Sequence, residues 1–265
     1  MKTARKRAKK RLAVFFFIVG LALIVMLLLY APVFNISAIE VLGSTRYPDK
    51  KIIGMSGIKI GENGFRKLRL EPESILKLRL TDSERKISQL PYVKSCTVNL
   101  VFPDKVSVKV TERQPAAYIR YLDNYLTVDG EGYVLEAAAQ RPSGEGPSGL
   151  VEIRGIEFSK YTLGGRLEAS DVELIKKGTE IIKAIKSSDA DSDFILLDVL
   201  DWIDMVGMNN AMLSLDDNRI TVRFDPSDKL QYTIDFTKEI FFKKINSKET
   251  GTIEFMGENP NFIPE

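Results

Sequence analysis

The chain has 265 residues, 44% of them hydrophobic and 28% charged, with a formal net charge of +2, no histidine and a single cysteine. This is the composition of a folded protein, and the length accommodates a membrane segment plus one or two compact domains. Without an imidazole, Ser-His-Asp and Cys-His catalysis and His-ligated zinc are excluded, and one cysteine excludes an intrachain disulfide.

The positive charge is local. Seven basic residues crowd between Lys2 and Arg11, and the rest of the chain is mildly acidic, which does not suit a nucleic-acid-binding domain. Leu12 to Phe34, LAVFFFIVGLALIVMLLLYAPVF, carries no charge and is long enough to cross a bilayer as a helix. A cleavable signal peptide begins in the same way. Its apolar core is shorter, however, and Leu29 and Ile36 stand where a cleavage site needs small residues. The stretch therefore reads as an uncleaved anchor. Basic residues before it and none close after it orient the N-terminus to the cytoplasm.

Phe34 to Gly43 alternates like a short strand, and the run from Tyr47 to Met55 reads as a short helix with Pro48 near its first turn and Gly57 past its end. KLRLEPES and KLRLTDSE, between Phe65 and Glu84, are alike but too few to make a repeat architecture. Thr81 and Glu84 have capping-box spacing and open a helix over about Asp82 to Gln89, which Pro91 halts.

The next two arms form an antiparallel hairpin, each with one apolar face: Cys96, Val98 and Leu100, then Val106, Val108 and Val110. Phe102-Pro103-Asp104-Lys105 is the turn. Cys96 reads as a core residue rather than a reactive thiol. The order from Phe34 to Thr111 is thus strand, helix, helix, strand, strand, about the smallest unit that lays two helices on one face of a three-stranded sheet.

That order resembles a POTRA domain. F-x-I-x-x-I-x-V-x-G at Phe34 to Gly43, L-P-x-V at Leu90 to Val93, F-P-D at Phe102 to Asp104 and E-R-x-P-x-A at Glu112 to Ala117, behind a basic N-terminus and one span, together resemble the FtsQ/DivIB cell-division family. Phe65 to Lys77 departs from it as additional length between the helices.

Beyond Ala117, Tyr125 to Leu135 reads as a hairpin around Asp129-Gly130, similar to the element that opens the family's β-rich second domain. A Pro/Gly/Ser loop spans Ala138 to Gly149. A helix is expected from about Glu168 to Lys186, with Leu174, Ile175, Ile181, Ile182 and Ile185 at helical spacing. SSDADSD, Ser187 to Asp193, reads as a loop of solvated charges and lacks the spacing of an EF-hand.

Strands are expected in VLDWIDMV, NAMLSL and RITVRF, the last two joined at Asp216-Asp217-Asn218. Leu230 to Ile245 fits either period, and the resemblance favours a helix over at least Lys238 to Ile245. Gly251 to Glu265 resembles the family's last strand and extended tail.

The expected fold class is α+β: a single N-terminal transmembrane helix, a POTRA domain (β-α-α-β-β) and a β-rich domain with helices. The expected divisions are 1–11 cytoplasmic tail, 12–34 span, 35–113 POTRA, 114–256 β domain and 257–265 tail. The resemblance implies a non-enzymatic scaffold, without cofactor, metal or small-molecule substrate. It also implies residence at the division septum, FtsL-like and FtsB/DivIC-like bitopic partners, and support of septal peptidoglycan synthesis.

Exposed sheet edges suit partner binding by strand addition. The candidate surface is the terminal strand, Thr252, Ile253, Glu254, Phe255 and Met256, with Phe262 from the tail; the simpler alternative turns Ile253 and Phe255 into the core and covers the strand's edge. Two other functional classes are a POTRA module that handles polypeptide for secretion and a membrane-anchored Ser-Lys hydrolase. A carboxylate-pair glycosidase would need two acids set together, and the acids here are scattered.

Overall fold

A computed structural model describes residues 2–142, 149–256 and 259–265. Part of the expected loop from Ala138 to Gly149, and Gly257 and Glu258 of the expected tail, lie outside the described residues. The chain divides into two compact units, Met1–Glu112 and Arg113–Glu265.

The first unit begins with α1 (Lys2–Tyr30), of which Leu12–Tyr30, 19 residues, is apolar enough to cross a membrane and has none of its length buried in protein. The helix stops short of Phe34 because of Pro32. That proline holds Ala31 in an extended conformation, and Pro32–Phe34 forms a single 3-10 turn.

Three strands follow, β1 (Ala38–Leu42), β2 (Val93–Val101) and β3 (Lys105–Glu112), in the order β1-β3-β2. β3 pairs parallel with β1 and antiparallel with β2. Val106, Val108 and Val110 are all buried, as the alternation requires, and meet Val98 from β2. Cys96 and Leu100 are half-buried against the same core.

Two helices cover this sheet. α2 (Asp49–Ser56) contributes Ile52 and ends where Gly57 turns left-handed at φ 67°. In the expected extra length between Phe65 and Lys77 lie a 3-10 turn, Gly64–Lys67, and α3 (Pro72–Lys77). α4 (Thr81–Ile87) supplies Ile87 to the core.

The expected capping box at the start of α4 does not form: no side chain caps the helix, and Glu84 turns inward. Its carboxylate holds Arg79 by two contacts, at 3.0 and 2.7 Å, and accepts the Val98 amide at 2.9 Å. A buried strand amide beside a guanidinium is a stronger claim on the charge than a helix end open to water.

The second unit is a sheet of nine strands. They are β4 (Pro115–Tyr121), β5 (Asn124–Asp129), β6 (Val134–Ala138), β7 (Val151–Arg154), β8 (Leu200–Gly207), β9 (Asn210–Leu215), β10 (Ile220–Phe224), β11 (Gly251–Met256) and β12 (Asn259–Pro264). Their order is β12-β11-β10-β9-β8-β7-β4-β5-β6. Pairing is parallel at β4/β7, β7/β8 and β10/β11 and antiparallel elsewhere.

Two helices pack against each other and line the core: α5 (Ala169–Asp189) with Ile175, Ile181, Ile182 and Ile185, and α6 (Leu230–Lys243) with Ile234 and Phe241. The ambiguous segment is thus helical from Leu230. Asp216, Asp217 and Asn218 all have positive φ, and the Asp201 carboxylate holds the turn by accepting the amides of Asp217 and Asn218.

The expected loop of solvated charges is corrected at Asp189. It ends α5, is buried, and takes the Lys238 ammonium at 2.8 Å and the amides of Leu196 and Leu197 at 3.0 and 2.9 Å.

Candidate functional site: an open sheet edge

Sheet edges attract partners because their backbone amides and carbonyls lack a neighbour. The sequence points to β11 as such an edge, and the structure places β11 inside the sheet, between β10 and β12. Gly251 donates its amide to Arg219 on the β10 side at 3.3 Å, while Glu265 donates to Thr250 at 3.0 Å. In an antiparallel pair this alternation turns the amides of Thr252, Glu254 and Met256 toward β12 and those of Ile253 and Phe255 toward β10. Both sides of the β11 backbone are therefore spoken for.

Ile253 is fully buried, Phe255 is half-buried against the same core, and Glu254 lies on the other face at 3.4 Å from Arg223. The Met256 side chain lies outside the described residues.

The expected extended tail is also corrected, because Asn259–Pro264 forms the outermost strand. Phe262 lies opposite Ile253, half-buried against the core, and its ring closes over Gly251, where any side chain would meet it at 3.0 Å. Asn261 and Ile263 pair with Glu254 and Thr252 across the ladder.

The alternation that aims Asn259, Asn261 and Ile263 at β11 turns the backbones of Pro260, Phe262 and Pro264 outward. Proline has no amide hydrogen, so the Phe262 amide is the one outward donor among these three residues. Proline is tolerated in a strand at such an edge, and it limits indiscriminate pairing. What remains open is a short edge: one donor, three carbonyls and the exposed side chains of Asn261 and Ile263.

The opposite edge, β6, is covered at its start. Val134 exchanges hydrogen bonds with Gly165 and Gly164 at 2.9 and 2.8 Å, and Gly132 accepts from Leu167 at 3.0 Å.

Other features of the sequence resolve into scaffolding. The Glu112 carboxylate gathers Ser44, Thr45 and Arg46 at the end of the first sheet. Arg113 lies between Asp129 at 2.7 Å and Glu131 at 3.0 Å and stacks on Tyr133. These contacts give Glu112 and Arg113 of the E-R-x-P motif structural partners. Burial and the nearby Glu84 charge push the Cys96 thiol up to about 12, which keeps it protonated and unreactive. Trp202 donates to Asn218 at 2.8 Å and carries Arg154 on its ring. A shallow cleft of about 530 Å³, lined by residues of β4 and β7 among others, includes Arg120 and Arg154, and the one acid lining it, Glu152, is held by Arg154.

Residues 34–113 match the family described as POTRA domain, FtsQ-type. Behind an N-terminal apolar helix, this defines a membrane-anchored POTRA protein. The chain is 26% identical over 267 residues to cell division protein DivIB of Clostridium botulinum, covering all of this chain and 94% of that protein. It is 30% identical over 181 residues to DivIB of Clostridium acetobutylicum, covering 66% of this chain and 67% of that one. It is also 31% identical over 161 residues to cell division protein FtsQ of Corynebacterium glutamicum, covering 61% and 60% of the two chains. The chain belongs to the FtsQ/DivIB family of cell-division proteins, and its role lies in cell division.

Proposed function

We propose that this chain is a non-enzymatic scaffold of the division complex, and that it recruits FtsL-like and FtsB/DivIC-like bitopic proteins through the β12 edge. The N-terminus lies in the cytoplasm and the two folded units lie outside, at the septum, where the assembled complex supports septal peptidoglycan synthesis. Seven basic residues before the span and none after it until Arg46 support that orientation.

One observation carries the docking reading: β12 ends the sheet with an outward amide at Phe262 between two prolines. A partner strand aligned on that donor gains backbone bonds, and Ile263 and Asn261 select its side chains. The Glu254 amide serves β12, so a proline there would break the sheet rather than the open edge.

The test uses the full chain in nanodiscs and the purified extracytoplasmic segment of a DivIC-like partner. Phe262→Pro removes the outward donor, whereas Phe262→Leu keeps it and most of the apolar contact. A large loss of affinity for the proline variant beside near-normal binding of the leucine variant is expected; equal affinity for the two sinks the reading. A fluorescent fusion should form a mid-cell band that depends on the division ring.

A further inference from the structure

The connection between α2 and α4 over residues 59–79, which includes the extra length from Phe65 to Lys77, lies outside the docking reading, and its surface is unlike that of a water-facing loop. Leu70 is 94% exposed, Leu76 83%, Ile60 68% and Ile75 48%. Single exposed apolar residues are ordinary, but a stretch that holds four of them among exposed Lys59, Arg66, Arg69 and Lys77 is not.

The same stretch is bonded to the end of α1. Asn63 donates its side-chain amide to the carbonyls of Leu28 at 3.1 Å and Ala31 at 3.3 Å. Arg66 donates Nε to the Leu29 carbonyl at 3.0 Å and lies 4.4 Å from the centre of the Tyr30 ring. The last carbonyls of a helix have no partner within it, and leaving them bare in lipid is costly. This loop supplies the partners.

The bonds also fix the loop's depth. The 19 residues of Leu12–Tyr30 rise about 28 Å, close to the roughly 30 Å hydrocarbon core. The carbonyls of Leu28 and Leu29 therefore lie at the boundary between acyl chains and headgroups, where Tyr30 is also at home. Whatever is bonded to them lies at that boundary too. Phe102, 67% exposed, joins this end of the unit by packing 5.5 Å from Phe34, which closes the 3-10 turn after the helix.

We infer that residues 59–79 form a second membrane attachment, lying in the outer face of the bilayer that α1 crosses. Leu70 and Leu76 enter the edge of the acyl layer, and Lys59, Arg66 and Lys77 meet anionic headgroups. Six basic and three acidic side chains occupy this stretch. Glu62 is held by Lys67 at 2.7 Å, and Arg69 is held by Asp82 at 2.7 Å. Apolar insertion with a basic rim is how interfacial segments hold a membrane surface. The occupant is lipid because the loop is fixed to the lipid-embedded helix itself. The inference rests on the span, and it is independent of the β12 docking reading.

The test reconstitutes the full chain in vesicles of phosphatidylethanolamine and phosphatidylglycerol. Cys96→Ala is combined with a single nitroxide-labelled cysteine at Leu70, Leu76, Leu21 or Thr111. Thr111 lies six residues along β3 from Lys105, which carries it about 20 Å from the Phe102 turn. The expected result is collision with oxygen rather than with an aqueous nickel chelate at Leu70 and Leu76, the bilayer centre at Leu21, and water at Thr111. Aqueous accessibility at both Leu70 and Leu76 overturns the inference. So does spin–spin broadening that vanishes on dilution with unlabelled chain, which would put a second copy there. An aqueous label at Leu21 overturns the span, and the inference with it.

Discussion

In each unit of this protein a buried carboxylate ties a helix to its neighbours, and the two carboxylates are placed differently. In the POTRA unit Glu84 joins a helix to the neighbouring strand over short chain separations, and its partner Arg79 keeps a side chain 26% exposed. In the β-rich unit Asp189 joins the end of α5 to α6 and to the turn before β8, and its partner Lys238 is only 9% exposed. A guanidinium at the rim can return to water when its carboxylate is lost. A buried ammonium cannot, and that difference sets what each contact contributes.

The largest expected effect follows from Lys238. Asp189→Ala leaves that charge buried with only the Ser188 carbonyl, at 2.7 Å, to meet it. Breaking such a pair from one side costs about 3–5 kcal/mol. Denaturant unfolding of the full chain in nanodiscs should show the loss, and amide exchange should confine it to the β-rich unit. Replacing both partners, Asp189→Leu with Lys238→Met, should recover most of it, because no charge is then stranded.

Glu84→Ala should cost less, about 2–3 kcal/mol, since it loses charge-assisted bonds while Arg79 can reach solvent. Faster exchange at the Val98 amide and in α4 would localise the change. If the two alanine variants cost the same, or if Glu84→Ala costs more, the contrast between a rim partner and a buried one is broken.

Both carboxylates were illegible in the sequence for the same reason: their partners are set by tertiary contact. Glu84 carries a good local signal for a cap, and the strand amide beside it outbids that signal. Asp189 sits in an acidic, serine-rich string, and Lys238 lies 49 residues away. Local patterns did better. The alternation of Val106, Val108 and Val110 and the helical spacing of Ile175, Ile181, Ile182 and Ile185 mark residues that are all buried.

Of α6 the sequence carried only half, because the chain enters at Lys229 with no capping side chain, and Leu230, Tyr232, Ile234 and Phe236 mimic a strand. The candidate edge was displaced by one strand. Pro260 and Pro264 make β12 read as a tail, and such prolines fit a strand only when they face outward at its rim. The residues named around it divide accordingly. Ile253 belongs to the core, Phe262 seals the edge strand to it, and Ile263, 48% exposed, is the apolar side chain the pattern missed.

A third carboxylate extends the comparison toward solvent and should have the smallest effect. Burial pushes Glu112 up, but the donors at Thr45, Arg46 and Ser44 together outweigh it and hold the group below its ordinary value of 4.5. A carboxyl whose folded value is lowered stabilises the fold above its unfolded value and loses that contribution as pH falls through the folded one.

Glu112→Gln keeps one acceptor oxygen for the Thr45 and Arg46 amides and loses the charge, for a cost of about 1–2 kcal/mol at neutral pH. Unfolding measured against pH should show wild type and variant separated at neutral pH and converging in acid, below the ordinary carboxylate value. A gap that persists unchanged into acid would mean that Glu112 acts through shape alone. It would then be unlike Glu84 and Asp189, whose work depends on charge.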